Sequence, residues 1–168
     1  MRDKPLDCEI RWMLNKDMSQ VVSIEADSFE FPWMEEEFIR CLRQRNCIGL
    51  VAECEGWVAG YMIYQLDRTR IRLLNIAVAE EYHRRGIGSQ MVANLIGNLS
   101  PKRRTKIILK VTETNLGAQL FFRKLGFRAA RILHDQYDDT PEDVYGMRYR
   151  LEAPVKRVAI LQDAKEPE

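Results

Sequence analysis

The stretch that decides the fold is Tyr82-His83-Arg84-Arg85-Gly86-Ile87-Gly88-Ser89. It follows an apolar run, residues 73–78, and it precedes an amphipathic run, residues 91–99. This order predicts a strand, a basic glycine loop and a helix. The backbone N–H groups of such a loop and the N-terminus of the following helix point at one spot, which suits a phosphate or pyrophosphate group.

The residue types of this loop support that interpretation. Gly86 and Gly88 lack a Cβ atom, so the backbone there can approach a ligand closely or adopt positive φ. Arg84 and Arg85 add charge and forked donors for phosphate oxygens. Two common phosphate loops do not match, because Met91 stands where the dinucleotide fingerprint needs a glycine and no Gly-Lys-Ser/Thr triplet occurs. An ordinary strand-to-helix turn with solvated arginines is the alternative at this stage.

Length and composition restrict the class of protein. The 168 residues, 46% hydrophobic and 30% charged, are typical of a single soluble globular domain. A net charge of +1 argues against a general nucleic-acid-binding or membrane-surface protein. There is no apolar run of membrane-spanning length and no apolar signal segment, so we expect a cytoplasmic protein. Nothing in the sequence sets the oligomeric state.

The four cysteines are expected to be free. Cys8, Cys41, Cys47 and Cys54 form no C-x-x-C pair, and the chain has only two histidines, so we expect no metal site. Disulfides are rare in a reducing cytosol. We therefore predict that all four act as small apolar core residues.

Hydrophobic periodicity predicts seven strands and four helices. The strands are expected at 8–13, 48–53, 58–66, 70–78, 106–111, 128–133 and 144–151, and the helices at about 15–27, 34–43, 89–99 and 115–125. Antiparallel strands come first, and the later strand–helix–strand–helix–strand order implies a parallel pair. The predicted fold is α/β, with a central mixed, mostly antiparallel seven-stranded sheet flanked by helices. Residues 1–152 are expected to form one domain, and 153–168 a flexible tail.

Several motifs together resemble the Gcn5-related N-acetyltransferase family. Residues 84–88 match most of its Q/R-x-x-G-x-G/A loop, and residues 114–127 resemble its N-x-x-A-x-x-x-Y-x-x-x-G-F helix. Phe31-Pro32-Trp33, Asn75-Ile76-Ala77-Val78 and residues 136–147 are similar to segments of the ribosomal-protein-alanine and protein N-terminal acetyltransferases within that family. The resemblance covers nearly the whole domain. It implies acetyltransferase activity and a sheet whose parallel strands splay apart.

The resemblance also implies that acetyl-CoA is the acetyl donor. The glycine loop would hold its pyrophosphate, one strand would pair with the pantetheine amides, and an asparagine would contact the inner arm. The expected cofactor-binding residues are Ile76, Ala77, Val78, His83, Arg84, Arg85, Gly86, Ile87, Gly88, Ser89 and Asn115. His83 departs from the motif, since the family has Gln or Arg at that first position.

The resemblance to the subgroup implies an α-amino group of a protein or peptide N-terminus as the acceptor. Glu30, Phe31, Pro32 and Tyr137 are expected to contact the peptide, because they fall in loops that bind substrate in related enzymes. An α-amino group has an ordinary pKa of about 8 and needs only modest base assistance, whereas a lysine side chain, at about 10.4, needs more. A lysine or small-amine acceptor stays open, as does a catalytically weakened acetyl-CoA-binding module.

The residues that usually move protons in this family are changed here. Lys110 stands where the ribosomal type has a glutamate, and Phe122 stands where the family has a tyrosine acid. We predict Tyr82 and Tyr137 as the catalytic substitutes. The alternatives are that Tyr82 packs at the strand end and that Tyr137 is an ordinary surface residue. The weaker candidates for the catalytic base are Glu30, His83, Glu113 and His134.

Overall fold

The computed structural model describes residues 5–133 and 143–152. Along the chain lie β1 (Glu9–Trp12), α1 (Met18–Ser28), α2 (Glu35–Leu42), β2 (Cys47–Cys54), β3 (Trp57–Leu66), β4 (Arg70–Val78), α3 (Ile87–Gly97), β5 (Lys106–Thr112), α4 (Leu116–Lys124), β6 (Arg128–Leu133) and β7 (Val144–Arg150). Short 3₁₀ helices cover Asn15–Asp17 and Glu80–Tyr82. In this part of the chain every predicted strand and helix is present. The tail expected at 153–168 lies outside the described residues.

One seven-stranded sheet organises the molecule, in the order β1-β2-β3-β4-β5-β7-β6. All neighbouring strands are antiparallel except β4 and β5, which are parallel. That parallel pairing covers only Arg70–Arg72 against Lys106–Ile108. Beyond Arg72 the two strands diverge, and β4 is further bent by a bulge at Leu74, which lies between two residues paired with β3. The predicted mixed sheet with a splayed parallel pair is therefore confirmed.

Two apolar clusters cover the two faces of this sheet. The larger one packs α3 and α4 against residues such as Met62, Leu73 and Leu109. The smaller one packs α1 and α2 against residues of β2, β3 and β4 such as Tyr61 and Ala77. Among the described residues, the second cluster takes no side chain from β5, β6 or β7. On the α1/α2 side, that half of the sheet is therefore left for polar side chains.

Capping residues explain where α4 begins and ends and where α2 begins. Asn115 caps α4, because its Oδ1 accepts a hydrogen bond from the backbone N–H of Ala118 at 3.1 Å. Gly126, with φ of +100°, follows the end of that helix in the left-handed conformation that glycine favours. At the start of α2, the Glu37 carboxylate accepts from the Met34 N–H at 2.7 Å.

No helix in the described part of the chain is long and apolar enough to cross a membrane.

The cysteine prediction is wrong for one pair. Cys8 and Cys54 extend the β1–β2 register by one position beyond Glu9 and Glu53, their Cα atoms lie 4.8 Å apart, and they form a disulfide. A sequence separation of 46 residues gave no indication of this neighbourhood, because it depends on strand register. Cys41 and Cys47 are free. Burial, followed by a hydrogen bond with Cys41, raises the pKa of the Cys47 thiol to about 12.

Candidate active site

The glycine loop turns sharply into α3. Arg84 has φ of +61° and Gly86 has φ of +80°, so the chain twice enters the left-handed region within three residues. Gly86 is the N-cap of α3 and no side chain caps the helix start. Since the first helical bond runs from the Gln90 N–H to the Gly86 carbonyl, the N–H groups of Ile87, Gly88 and Ser89 have no helical acceptor. This is the arrangement expected of an anion site.

A cavity of about 680 Å³ opens in front of this loop, along α3 and α4; we call it the donor cavity. Its wall contains all but one of the predicted cofactor-binding residues, namely Ile76, Ala77, Val78, His83, Arg84, Gly86, Ile87, Gly88, Ser89 and Asn115. The exception is Arg85, which is half-buried and whose carbonyl accepts from the Leu6 N–H at 3.2 Å. The structure thus brings the predicted set together around one space.

The floor of the donor cavity is aromatic. A Cβ atom on Gly88 would lie 3.2 Å from Cζ of Phe121, so only glycine allows α3 to approach α4 this closely. The Phe121 and Phe122 rings pack edge to face with centroids 5.0 Å apart. Phe122 is buried and forms part of the cavity wall. It therefore occupies the position expected for a family tyrosine without offering a hydroxyl.

Two protonatable side chains lie at the mouth of the donor cavity. Tyr82 ends the short 3₁₀ helix after β4, lines the cavity and packs against both apolar clusters. His83 lies beside it, and its Nε2 is 2.7 Å from the Val78 carbonyl, which requires Nε2 to be the donor. The other predicted catalytic residue, Tyr137, falls outside the described residues, as does His134.

A second space of about 610 Å³ lies on the opposite face of the sheet, over the part of β5–β7 that no helix of the described residues covers; we call it the acceptor groove. Leu73 of β4 and Leu109 of β5 line it, so it reaches the gap between the splayed strands. Among the residues that the structure describes, the charged side chains of its lining are all cationic: Arg70, Arg72, Lys106, Lys110, Arg131 and Arg148. Lys110, at the position where the ribosomal type has a glutamate, is exposed.

A buried carboxylate holds the loop between α1 and α2 against β4. Glu25 is 2% exposed, and it accepts hydrogen bonds from Asn75 Nδ2 at 2.8 Å, from the Trp33 N–H at 2.9 Å and from the Tyr61 hydroxyl. Burial, followed by the hydrogen bond to Glu25, raises the pKa of Tyr61. Because Trp33 lines the acceptor groove, Glu25 positions one of its walls. Sequence reasoning missed Glu25, since a single glutamate in an amphipathic helix is normally solvated.

The three residues of that loop that were predicted to contact the peptide line neither the donor cavity nor the acceptor groove. Phe31 is 77% exposed, Glu30 is exposed and Pro32 is half-buried. The donor cavity takes Phe29 from this loop and the acceptor groove takes Trp33, whereas neither lining includes the three predicted residues. A role for Glu30, Phe31 and Pro32 in peptide binding stays a prediction.

Comparisons with known proteins agree with this geometry. A model of the acetyltransferase (GNAT) family matches residues 18–127. The ribosomal protein bS18-alanine N-acetyltransferase of Escherichia coli (strain K12) is 29% identical over 124 residues, which cover 74% of this chain and 83% of that protein. An N-alpha-acetyltransferase of Sulfurisphaera tokodaii is 26% identical over 144 residues, 78% of this chain and 86% of that protein.

Solved structures give the same result for the fold. The crystal structure of the ribosomal-protein-S18-alanine N-acetyltransferase from Escherichia coli superposes with a TM-score of 0.78 at 25% identity, and the match covers 90% of this chain and 99% of that chain. Together with the sequence matches, this confirms the resemblance that the motifs predicted, both to the family and to the ribosomal-protein-alanine subgroup.

Proposed function

The chain belongs to the acetyltransferase (GNAT) family, and on that premise we propose that it transfers the acetyl group of acetyl-CoA to the α-amino group of a protein or peptide N-terminus. The enzyme class and the donor follow from the family. The α-amino acceptor is supported by the relatives named as alanine N-acetyltransferase and N-alpha-acetyltransferase. The observation that carries the proposal is the position of the donor cavity and the acceptor groove, which both lie along the part of β4 that is unpaired with β5: Ile76, Ala77 and Val78 line the cavity, and Leu73 and Leu74 line the groove.

The donor cavity fits acetyl-CoA in three respects. The uncapped N-terminus of α3 and the left-handed residues Arg84 and Gly86 offer N–H groups to a pyrophosphate. The edge of β4 that faces the gap is unpaired with β5 from Leu73 to Val78, so it can pair with the amides of a pantetheine arm as with an added strand. Asn115 lies at the far wall, at the start of α4, where its side-chain amide can reach the inner arm.

Acetyl-CoA supplies an activated thioester, and the chain's residues orient it and move protons. We assign Tyr82 the role of removing a proton from the incoming α-ammonium, because it lies at the cavity mouth and an α-amino group needs only modest base assistance. Phe122 cannot protonate the leaving thiolate, so that role falls to another donor, for which we keep Tyr137 as the prediction. Transfer is direct, within a ternary complex, and no covalent enzyme intermediate is needed.

The test is a peptide library incubated with the enzyme and acetyl-CoA and read by mass spectrometry. The proposal expects acetylation at α-amino groups and none on internal lysines. Tyr82→Phe should lower kcat by about 10²-fold or more with little change in acetyl-CoA affinity, which is the usual contribution of a general base. The absence of α-amine acetylation on every peptide would contradict the proposal.

A second candidate, acetylation of lysine side chains or small amines, is favoured by Lys110 replacing the subgroup's glutamate. The same library with blocked N-termini, together with a polyamine panel, separates the two, since only the second candidate gives product there. A weakened acetyl-CoA-binding module, consistent with Phe122, would instead raise the melting temperature with acetyl-CoA and give no product on any amine.

A further inference from the structure

We propose that the acceptor groove selects peptides whose first residues after the N-terminus are acidic. This inference rests on the proposed function and names its substrate class. It is carried by the charge of the groove, which comes from side chains on four different strands: Arg70 and Arg72 of β4, Lys106 and Lys110 of β5, Arg131 of β6 and Arg148 of β7.

Strand register places these cations on one face. In the parallel pairing of β4 with β5, Arg70 lies opposite Lys106 and Arg72 lies opposite Ile108. Ile108 in turn pairs with Arg148, and Lys110 pairs with Gly146, which is also the partner of Arg131. Because paired residues project from the same face of a sheet and successive residues alternate, the intervening Ile71, Ile107 and Leu109 point into the apolar cluster under α3 and α4.

The described lining of the groove is far more basic than the chain as a whole. The whole chain carries a net charge of only +1, yet among residues 5–133 and 143–152 the groove lining holds six basic residues and no acidic one. Close cations repel one another, so a surface of this kind gains when an anionic partner occupies it. The same residues add nothing to the folding core, because they lie on the half of the face that α1 and α2 leave uncovered.

Asp67 organises part of this charge without cancelling it. Its Oδ2 accepts from Arg70 Nε at 3.2 Å, and its Oδ1 accepts from Arg72 Nη2 at 3.1 Å, while Arg72 Nε lies 2.8 Å from Oδ2. One carboxylate between two guanidinium groups leaves the pair net positive. It also fixes the direction of their remaining donors, which favours a partner with planar carboxylate groups.

A peptide is the occupant that fits the place of these charges. The groove ends at the gap between β4 and β5, beside Leu73 and Leu109, where the acceptor amine must meet the donor. The residues that follow that amine must then run outward along the groove, past Trp33 on one side and Arg131 and Arg148 on the other. Side-chain carboxylates at those positions would meet the cations directly.

The experiment compares two peptides that share their first residue and differ only in the residues that follow, acidic in one and basic in the other. With acetyl-CoA saturating, we expect kcat/KM to be at least about tenfold higher for the acidic peptide, and this ratio to shrink at high ionic strength because the groove is open to solvent. The Arg131→Glu/Arg148→Glu double variant should reverse the preference. Lys124→Glu is the matched control, because Lys124 is an exposed cation on α4, on the opposite face of the sheet.

The possible outcomes separate the inference from the proposed function. The inference would be overturned, with the function intact, by equal kcat/KM values for the acidic and the basic peptide. It would also be overturned if the double variant left the preference unchanged. No α-amine product from either peptide would overturn the function. Single-stranded RNA of similar charge is included as a competitor: if it inhibited at lower concentration than the unacetylatable, N-terminally blocked acidic peptide, the surface would be a nucleic-acid site and the inference would be wrong.

Discussion

The donor cavity and the acceptor groove, on the two sides of the gap between β4 and β5, are formed by different kinds of groups. The donor cavity is made largely of backbone and apolar side chains: a helix N-terminus, three glycines, an unpaired strand edge and three phenylalanines. The acceptor groove combines apolar residues such as Trp33 and Leu74 with six long cationic side chains, on a sheet face that no described helix covers. A backbone site tolerates little change in shape, whereas a side-chain site can change its partner by substitution with the fold kept intact.

The difference predicts how the two sides respond to mutation. Damage to the donor side should lower activity on every acceptor equally. Changes on the acceptor side should alter which acceptor is used and leave acetyl-CoA binding as it was. Four substitutions or treatments test this division, beginning with the largest effect.

The largest loss is expected from Gly88→Glu. The new side chain would meet Phe121, since even a Cβ atom would lie 3.2 Å from its ring, and it would place a negative charge where the pyrophosphate is proposed to bind. Acetyl-CoA affinity should fall by about 10³-fold, or about 4 kcal/mol. Titration calorimetry measures it. Gly97→Glu is the control, because Gly97 lies in the same helix and a Cβ atom there would have no neighbour within 4 Å, so this variant should bind normally.

Reduction of the Cys8–Cys54 disulfide should come next. Cross-linking residues 46 positions apart stabilises a fold by about 2–4 kcal/mol, so denaturant unfolding with and without reductant should differ by that amount. Cys8 is joined to the segment that holds the glycine loop, where the Leu6 N–H bonds the Arg85 carbonyl. The KM for acetyl-CoA should therefore rise, whereas the acidic-to-basic peptide ratio should not change. A Cys8→Ser/Cys54→Ser variant that still responded to reductant would refute this assignment.

Glu25→Gln should cost about 2 kcal/mol of stability. Glutamine keeps the size of the side chain but replaces one of two acceptor oxygens by a donor, so one of the three donors from Tyr61, Asn75 and Trp33 is left without a partner in a buried site. Because Trp33 walls the acceptor groove, peptide KM should rise more than acetyl-CoA affinity falls. Glu36→Gln, on the exposed side of α2, should change neither quantity.

Asp67→Asn should have the smallest effect, and one that depends on pH. Hydrogen bonds from Arg72 first, and then from Arg70, hold the pKa of Asp67 below its ordinary value. Its contribution to stability is therefore present above the unfolded pKa of about 3.9 and is lost as pH falls through the lower folded value. Since both arginine side chains are more than 40% exposed, we expect about 0.5–1 kcal/mol at neutral pH.

That pH dependence is measured by urea unfolding of the wild type and of Asp67→Asn across the acid range. The two curves should converge once the pH has fallen below the lowered folded pKa of Asp67, where both side chains are uncharged. A constant difference between them at all pH values would mean that the carboxylate acts through something other than its charge. Asp27→Asn, at an exposed position on α1, serves as the control.

The donor side could be predicted from the sequence because its information is local. A strand, two glycines and a helix lie within the 28 residues from Arg70 to Gly97, and the Asn115 cap with Gly126 marks a second helix in the same way. The order of elements then fixed the parallel pair through the rules that govern crossover connections. For the same reason the boundaries of β4 agree with prediction to the residue.

The acceptor side could not be predicted because its information is spread over the chain. Arg72, Lys106, Arg131 and Arg148 are separated by up to 76 positions, and each alone looks like an ordinary solvated cation at an alternating strand position. Only the register of β4, β5, β7 and β6 brings them together. The sequence did not predict the burial of Glu25 or the disulfide between Cys8 and Cys54 for the same reason. Both depend on neighbours that are close in space but distant in the chain.

The most direct test of the two-sided account is the affinity of a conjugate in which CoA is joined through an acetyl bridge to the α-amine of an acidic peptide, compared with the affinity of CoA alone. We predict that the conjugate binds at least about tenfold more tightly than CoA to the wild type. In Arg131→Glu/Arg148→Glu this gain should disappear with CoA affinity unchanged, whereas Gly88→Glu should weaken both ligands. An undiminished gain in the double variant, or an equal loss of CoA affinity, would contradict the account.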